Sequence, residues 1–236
     1  MARPDGRGAG DLRALVLEPG VNPYAEGSCL VRYGATTVLC TATVEPQAPG
    51  WRKGSGAGWV TAEYAMLPRA TLERTPRERQ GAGGRTQEIQ RLIGRSLRAA
   101  MRTMTFGERT IRVDCDVLQA DGGTRTASIT GGAVALAQAC RWLAERQGIE
   151  DPMRELVAAV SVGIVEGEVR LDLDYAEDKV AAVDANIVRL AGGGYVDVQA
   201  TAEGGPFTGG ELERLLTLAG RGLDRITAAQ RAALGA

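Results

Sequence analysis

The residues best suited to chemistry in this sequence are two arginines that each follow a pair of glycines. Arg85 lies in the motif GGRT and Arg125 lies in GGTRT, and a helical pattern follows each motif. Helix N-termini present unpaired N–H groups and the positive end of the helix dipole, and arginine adds a planar fork that matches two phosphate oxygens. Glycine lets the backbone approach a ligand closely, and Thr124 and Thr126 add hydroxyl donors, one of which can cap the helix. The two motifs together predict a phosphate-binding site.

An ordinary strand-to-helix turn with a capping threonine gives the same pattern, and for either motif alone we favour that interpretation. The coincidence of two motifs favours an anion site, because the middle of the chain is dense in arginine. Between Arg69 and Arg102 there are nine arginines and three glutamates. The chain contains neither the Walker sequence GxxxxGK[ST] nor the dinucleotide-binding glycine pattern, so those two phosphate loops are excluded.

Two aspartates offer oxygen ligands for a cation. Asp178 and Asp184 flank the short segment between two apolar stretches, and such a connection can bring both carboxylates to one point. Oxygen ligands suit Mg²⁺ or Mn²⁺, which often keep water molecules and bridge to substrate phosphates. A polar loop with two exposed aspartates fits the spacing equally well. Two further pairs share a strand face, as solvent-facing alternation routinely produces, and we interpret them as structural: Asp114 with Asp116, and Asp172 with Asp174.

The composition narrows the chemistry and predicts one α/β domain over residues 1–236. The chain has no histidine, which removes the usual general base, Ser-His triads and most zinc sites. The net charge of −1 means that no overall positive field points to a nucleic-acid partner, but the charge is uneven: twelve acidic and four basic residues between Glu150 and Glu203 contrast with the basic centre. Four cysteines without metal-type spacing indicate buried thiols in a reducing compartment. Without an apolar leader in the first ten residues, we expect a soluble, cytoplasmic protein.

Hydrophobic periodicity predicts the elements that position these residues. Alternation predicts strands at 28–45, 59–67, 109–117, 155–175 and 185–200, several of them paired by tight turns. Helical spacing predicts helices from about Thr86, from about Ala127 to Arg146, and after the capping box formed by Thr208 and Glu211. Residues 68–85 are rich in arginine without periodicity, which predicts an exposed, mobile loop. A mixed α/β (α+β) fold, with helices packed on sheets, accommodates this order.

Six long segments are more specific than any of these short motifs. In chain order they are KGSGAGWVTAEYAMLPRAT (53–71), GGRTQEIQRLIGRSLRAA (83–100), DCDVLQADGGTRTASITG (114–131), MRELVAAVSVGIVEGE (153–168), DLDYAEDKVAAVDANIV (172–188) and VQATAEGGPF (198–207). Together they resemble the signature segments of the bacterial ribonuclease PH family, whose relatives include polynucleotide phosphorylase and the exosome ring subunits. The resemblance covers essentially the whole chain.

The resemblance implies a phosphate-dependent 3′-to-5′ exoribonuclease that trims tRNA precursors. Inorganic phosphate attacks the terminal phosphodiester and releases a nucleoside diphosphate, and the reverse reaction adds nucleotides. The implied fold is the ribosomal protein S5 domain 2 type, assembled as a hexameric ring of dimers. The missing histidine agrees with this chemistry, because phosphate is already an anionic nucleophile near neutral pH and catalysis reduces to positioning and charge neutralisation.

By matching motif, the resemblance also implies a role for individual residues. The attacking phosphate would be held by Arg85, Gly123, Thr124 and Arg125. The catalytic carboxylates would be Asp178 and Asp184, acting through Mg²⁺ or Mn²⁺ as its ligands. The tRNA-contacting loop would present Arg69, Arg74 and Arg77.

Some details depart from the family pattern, and two other functions remain open. Lys179, Val183 and Ala185 replace more polar or bulkier residues, and Lys179 could weaken a metal or contact RNA. The loop at 72–82 also differs, which leaves individual RNA contacts open. A non-catalytic RNA-binding ring subunit is disfavoured because the four charged residues assigned to chemistry are present. A hydrolytic nuclease would release nucleoside monophosphates and would need no phosphate.

Overall fold

The computed structural model describes residue 3 and residues 5–235, which form nine strands, four α-helices and one 3₁₀ turn (Gly50–Arg52). The strands are β1 (Leu15–Pro19), β2 (Gly27–Tyr33), β3 (Thr36–Glu45), β4 (Trp59–Met66), β5 (Thr110–Gln119), β6 (Val157–Val165), β7 (Glu168–Leu171), β8 (Val183–Leu190) and β9 (Tyr195–Ala202). The helices are α1 (Gly84–Ala99), α2 (Thr124–Gln147), α3 (Tyr175–Val180) and α4 (Gly209–Ala233). None of these helices is long and apolar enough to cross a membrane.

The strands form two sheets. The first has five strands in the order β1-β2-β3-β5-β4, and all its neighbours are antiparallel except β4 and β5, which are parallel. The second has four antiparallel strands in the order β7-β6-β8-β9. Helix α1 packs on β4, and α4 packs on β6 and β7. The parallel pair places the end of β4 beside the end of β5, where α2 begins.

Helix α2 packs against both sheets and is buried along most of its length. Small residues make this contact possible, because they let a helix approach a neighbouring backbone closely. A Cβ atom at Gly131 would lie 2.6 Å from Cγ1 of Val31, and one at Gly27 on β2 would lie 2.0 Å from the carbonyl oxygen of Ala135. The apolar cluster around α2 is continuous and includes Val113 of the first sheet and Val160 of the second.

The predicted mixed α/β class is confirmed, together with most of the predicted elements. Turns at 34–35 and 166–167 join β2 to β3 and β6 to β7, and α4 begins with the predicted capping box of Thr208 and Glu211. The loop at 67–83 contains no helix or strand, and most of its residues are exposed. All four cysteines are buried free thiols, as expected.

Two helix starts differ from the prediction, and two elements were not predicted. Helix α1 begins at Gly84 rather than Thr86, and α2 begins at Thr124 rather than Ala127. Hydrophobic spacing marks the turns that contact the core, whereas these first turns are polar. Strand β1 lies at a sheet edge without a fully buried residue, and α3 has six residues of which only Glu177 is buried, so neither carries a periodic apolar signal.

Candidate active site

A cleft of about 670 Å³ opens where β4 and β5 end and α2 begins. The loop that leads into α1 forms one side of it, and α3 with the start of β8 forms the other. Its lining includes Arg85, Asp121, Gly122, Gly123, Thr124, Arg125, Ser161, Tyr175, Asp178, Asp184 and Asn186. The six residues predicted to bind phosphate or a cation, distant in sequence, therefore share one cavity.

The floor of the cleft is the glycine turn before α2. Gly122 and Gly123 both have left-handed backbone angles, with φ of +73° and +67°, which favour glycine over other residues. A Cβ atom at Gly122 would also lie 2.8 Å from the backbone nitrogen of Tyr175 at the start of α3. The turn thus brings the N-termini of α2 and α3 together.

Neither helix start that carries an arginine is capped by its own N-cap residue, although before α1 the Glu78 carboxylate accepts from the backbone N–H of Gly83 at 3.1 Å. Gly83 and Gly123 are the N-cap residues of α1 and α2, and neither first turn contains an acidic residue. The capping role considered for the threonines is therefore wrong: the Thr126 hydroxyl donates back to the Gly123 carbonyl at 2.9 Å, and the Thr124 hydroxyl pairs with Tyr64. By contrast, α3 and α4 both have full capping boxes. Uncapped, positively polarised helix starts favour an anionic ligand.

Arg85 and Arg125 direct their positive charges to the same region. Burial raises the pKa of Tyr64, whereas its hydrogen bond with Thr124 and the charges of Arg85 and Arg125 lower it. Arg85 is exposed, and the Arg125 side chain, 20% exposed, lies 3.4 Å from Glu88. Two guanidinium groups beside uncapped N–H groups can hold an anion with two or more negative oxygens.

Asp178 and Asp184 lie close together on the same side of the cleft. Asp178 is exposed on α3, and Asp184 lies on β8 between β6 and β9. Burial and the negative charge of Asp178 raise the pKa of Asp184 to about 6, although the Arg125 charge acts in the opposite direction. The Oδ1 atom of Asp184 is buried and has no hydrogen-bond partner. An ionisable oxygen left unpaired beside a second carboxylate fits a cation ligand.

The raised pKa of Asp184 predicts how the stability of the metal-free protein changes with pH. Because the folded-state pKa of Asp184 lies above the ordinary value near 3.8, its ionisation destabilises the fold fully above pH 6, and this effect disappears as the pH falls towards 4. We therefore expect Asp184→Asn to raise the free energy of unfolding by roughly 2–3 kcal/mol near pH 8 and by only about 0.5 kcal/mol near pH 4. Chemical denaturation in the presence of a chelator measures both values. A gain of equal size at both pH values would contradict this account.

The three arginines predicted to contact RNA lie on the loop between β4 and α1. Arg69, Arg74 and Arg77 are exposed, and none of them lines the cleft. The same loop does reach the cleft, because Thr71 and Leu72 line it. The arginines therefore lie on a loop that borders the cleft, without forming its wall.

The sequence prediction missed several cleft residues. Asn186 lies two positions after Asp184 on β8, so the period of two in a strand places both on one face and could have identified it. Tyr175 is 62% exposed at the rim and Ser161 lies on the fully buried β6, and neither carries a distinctive local pattern. Lys179, which departs from the family pattern, is exposed on α3 and does not line the cleft.

The other aspartate pairs are structural, although one is not solvent-facing as expected. Asp172 is 1% exposed and forms an ion pair with Arg13, and Asp174 caps α3. Asp114 and Asp116 lie on the outward-facing side of β5, and burial with the Glu63 charge raises the pKa of Asp114 to about 6. In the part of the chain that the structure describes, no group of three or more acidic or cysteine side chains could hold a metal ion.

Comparison with known proteins identifies the family. The models of the 3′ exoribonuclease family match residues 11–141 as domain 1 and residues 155–222 as domain 2. Ribonuclease PH of Brucella ovis is 55% identical over 236 residues, which cover 98% of this chain and 99% of that protein. The chain belongs to the 3′ exoribonuclease family. This ribonuclease PH family is phosphorolytic, so the predicted enzyme class, a phosphorolytic exoribonuclease, is confirmed.

Two solved structures have the same fold. Rice (Oryza sativa) Rrp46 superposes with a TM-score of 0.81 at 22% identity, covering 99% of this chain and 100% of Rrp46. A chain of the Archaeoglobus fulgidus exosome, solved with RNA bound to the active site, gives 0.79 at 24% identity and covers 95% of this chain and 91% of that one. These likenesses confirm the fold predicted for the 3′ exoribonuclease family. That residues 1–236 form one domain stays a prediction, since the family models distinguish two parts.

Proposed function

We propose that this exoribonuclease trims the 3′ extensions of tRNA precursors, with phosphate bound at the start of α2 and Mg²⁺ or Mn²⁺ bound between Asp178 and Asp184. The proposal depends chiefly on the cleft, which joins two arginine-bearing helix starts, that of α2 without a side-chain cap, to a pair of carboxylates. Protein groups that can bind an anion therefore lie beside groups that can bind a cation. Phosphorolysis needs such an arrangement, because inorganic phosphate and the terminal phosphodiester of the RNA repel each other and must be brought together.

The phosphate would bind to Arg85, Gly123, Thr124 and Arg125. The left-handed turn at Gly123 and the absence of a side-chain cap leave the first N–H groups of α2 open to a ligand. The guanidinium groups would neutralise the charge on the phosphate and orient one of its oxygens towards the RNA end.

The cation would be held by Asp178 and Asp184. Two carboxylates suffice for Mg²⁺, which usually keeps several waters and binds substrate phosphates, and the orphaned Oδ1 of Asp184 supports this fit. When bound, the cation would offset the charge that develops on the leaving 3′ oxygen. Arg125 serves both subsites, since its charge also acts on Asp184.

The reaction needs no side chain of the protein as a general base. An oxygen of hydrogen phosphate forms a bond to the terminal phosphorus, and the bond from that phosphorus to the 3′ oxygen of the preceding nucleotide breaks. The products are a nucleoside diphosphate and an RNA shortened by one nucleotide, whose new 3′ hydroxyl takes the proton of the hydrogen phosphate. Side chains of this chain only position the two anions and neutralise their charge.

The RNA would approach over the loop between β4 and α1, with Arg69, Arg74 and Arg77 contacting its phosphodiester backbone. Their exposure and their place beside the cleft entrance support this role. We also propose that the chain forms a hexameric ring, a trimer of dimers, and acts in the cytoplasm. The likeness to exosome structures, one of them with RNA in its active site, supports the RNA partner and the ring.

The decisive experiment identifies the product. A tRNA with a few extra 3′ nucleotides is incubated with the enzyme and Mg²⁺, with and without inorganic phosphate. We expect nucleoside diphosphates, resolved by chromatography, only when phosphate is present. Nucleoside monophosphates without phosphate would indicate the hydrolytic nuclease, and RNA binding without shortening would indicate a non-catalytic subunit.

A further inference from the structure

The segment before β1 lies beneath the cleft and supplies arginines that the proposed chemistry does not use. Arg3 and Arg13 are only 3% and 6% exposed, which is unusual for charged residues outside a binding site. Their partners, Asp172 and Glu177, are 1% and 3% exposed. A buried ion pair adds little to the stability of the fold, because removing two charges from water costs about as much as their attraction returns. Stability alone therefore does not explain why these pairs are buried here.

Arg13 connects the glycine turn to the strand that leads into α3. Its guanidinium donates to both carboxylate oxygens of Asp172, at 2.7 and 3.1 Å, and the Arg13 backbone N–H donates to the same group at 2.8 Å. Another N–H of the guanidinium donates to the carbonyl of Asp121, the residue before Gly122. One side chain therefore bridges the two halves of the cleft.

Asp172 depends on this bridge. Its backbone φ is +54°, a left-handed value that is unfavourable for a residue with a side chain. Its carboxylate is bound by Arg13, and Gly34 leaves room for the Arg13 stem, because a Cβ atom there would lie 2.9 Å from Cδ of Arg13. The strained residue stands two positions before Asp174, the N-cap of α3.

Arg3 is one of two buried arginines that bind α3 through Glu177, the other being Arg170 at 3.4 Å. Arg3 donates to both carboxylate oxygens of Glu177, at 2.8 and 2.5 Å, and to the carbonyl of Leu171 at 2.9 Å. Glu177 completes the capping box of α3 and directly precedes Asp178. A helix of six residues is not stable alone, so its orientation rests on such tertiary contacts.

We propose that Arg3 and Arg13 are positioning residues that hold the cation-binding and phosphate-binding halves of the cleft in register. Arg3 acts through Glu177 on Asp178, and Arg13 acts through Asp121 and Asp172 on the glycine turn. The proposal rests on the proposed function for the roles of Asp178 and the turn, but the mechanical link is independent of it.

Conservative variants test the link, since Arg13→Ala and Arg3→Ala could simply unfold. Lysine keeps the charge but cannot reproduce the two-pronged contact. Arg32→Lys is the matched control, because Arg32 on β2 pairs with Glu18 on β1 through two largely exposed side chains, away from the cleft. Hydrogen exchange at residues 175–180 should be about tenfold faster in Arg3→Lys than in Arg32→Lys, whatever reaction the protein catalyses.

Two further measurements connect the link to the site. Titration with Mn²⁺ without RNA should show about tenfold weaker binding in Arg3→Lys. For Arg13→Lys, the KM for phosphate should rise about tenfold, whereas a loss of folded protein alone would lower only the apparent kcat. Unchanged exchange, Mn²⁺ affinity and phosphate KM in both variants would overturn the proposal. If the wild-type protein neither binds Mn²⁺ nor uses phosphate, the proposed function fails, and hydrogen exchange still decides the positioning link.

Discussion

Replacing Arg125 with alanine is expected to reduce kcat/KM for inorganic phosphate by about 10²–10³-fold. Arg125 lies in the first turn of α2, which has no side-chain cap and no acidic residue of its own. Its guanidinium is only partly exposed, so its charge is less screened by water than that of a surface arginine. It also acts on Asp184, and its loss therefore weakens both subsites.

Initial rates at varied phosphate concentration, with RNA saturating, measure this effect. Arg91→Ala is the matched control, because Arg91 is an exposed arginine on α1 outside the cleft. Arg125→Lys should recover part of the rate, since lysine keeps the charge and loses the fork. If Arg125→Ala kept the wild-type KM for phosphate and the wild-type kcat, the hypothesis that the anion binds at this turn would be rejected.

Asp184→Asn is expected to lower kcat by about 10³-fold at saturating Mg²⁺, while the folded protein becomes more stable near neutral pH. An amide is a weaker cation ligand than a carboxylate, and the substitution would leave Asp178 as the remaining acidic ligand of the proposed site. The opposite changes in rate and stability have one cause. A carboxylate that is buried beside another negative charge is unfavourable until a cation binds.

Single-turnover rates across a Mg²⁺ or Mn²⁺ titration measure the loss. The variant Asp116→Asn is a suitable control, since Asp116 is an exposed aspartate on β5 outside the cleft. Full activity of Asp184→Asn at ordinary Mg²⁺ concentrations would exclude the assigned role of this carboxylate.

Much of the cleft could be predicted from sequence because its residues occur at element boundaries with strong local signals. The motifs containing Arg85 and Arg125 combine glycine, arginine and threonine at a change of hydrophobic period, which marks a helix start. The spacing alone predicts Asp178 and Asp184 less firmly, because α3, which carries Asp178, has no apolar stripe. The family resemblance, not periodicity, selected the cation site over an exposed loop.

The remainder depends on contacts that a local pattern does not contain. Arg13 and Asp172 are 159 positions apart, and Arg3 and Glu177 are 174 apart. In the sequence, Asp172 alternates with Asp174 as a solvent-facing pair would, yet the tertiary fold turns it inward. Nothing in the spacing of these arginines distinguishes a buried bridge from a charged surface.

The burial of α2 limits how members of this family can diverge. The helix runs about 36 Å from the cleft through the core and contacts both sheets, so its first turn cannot shift without repacking the interior. The loop at 67–83 packs little of its length into that core. Since this loop is the segment proposed to contact RNA, we expect substrate preference to change by substitution in it, at little cost in stability, while the proposed catalytic cleft stays fixed.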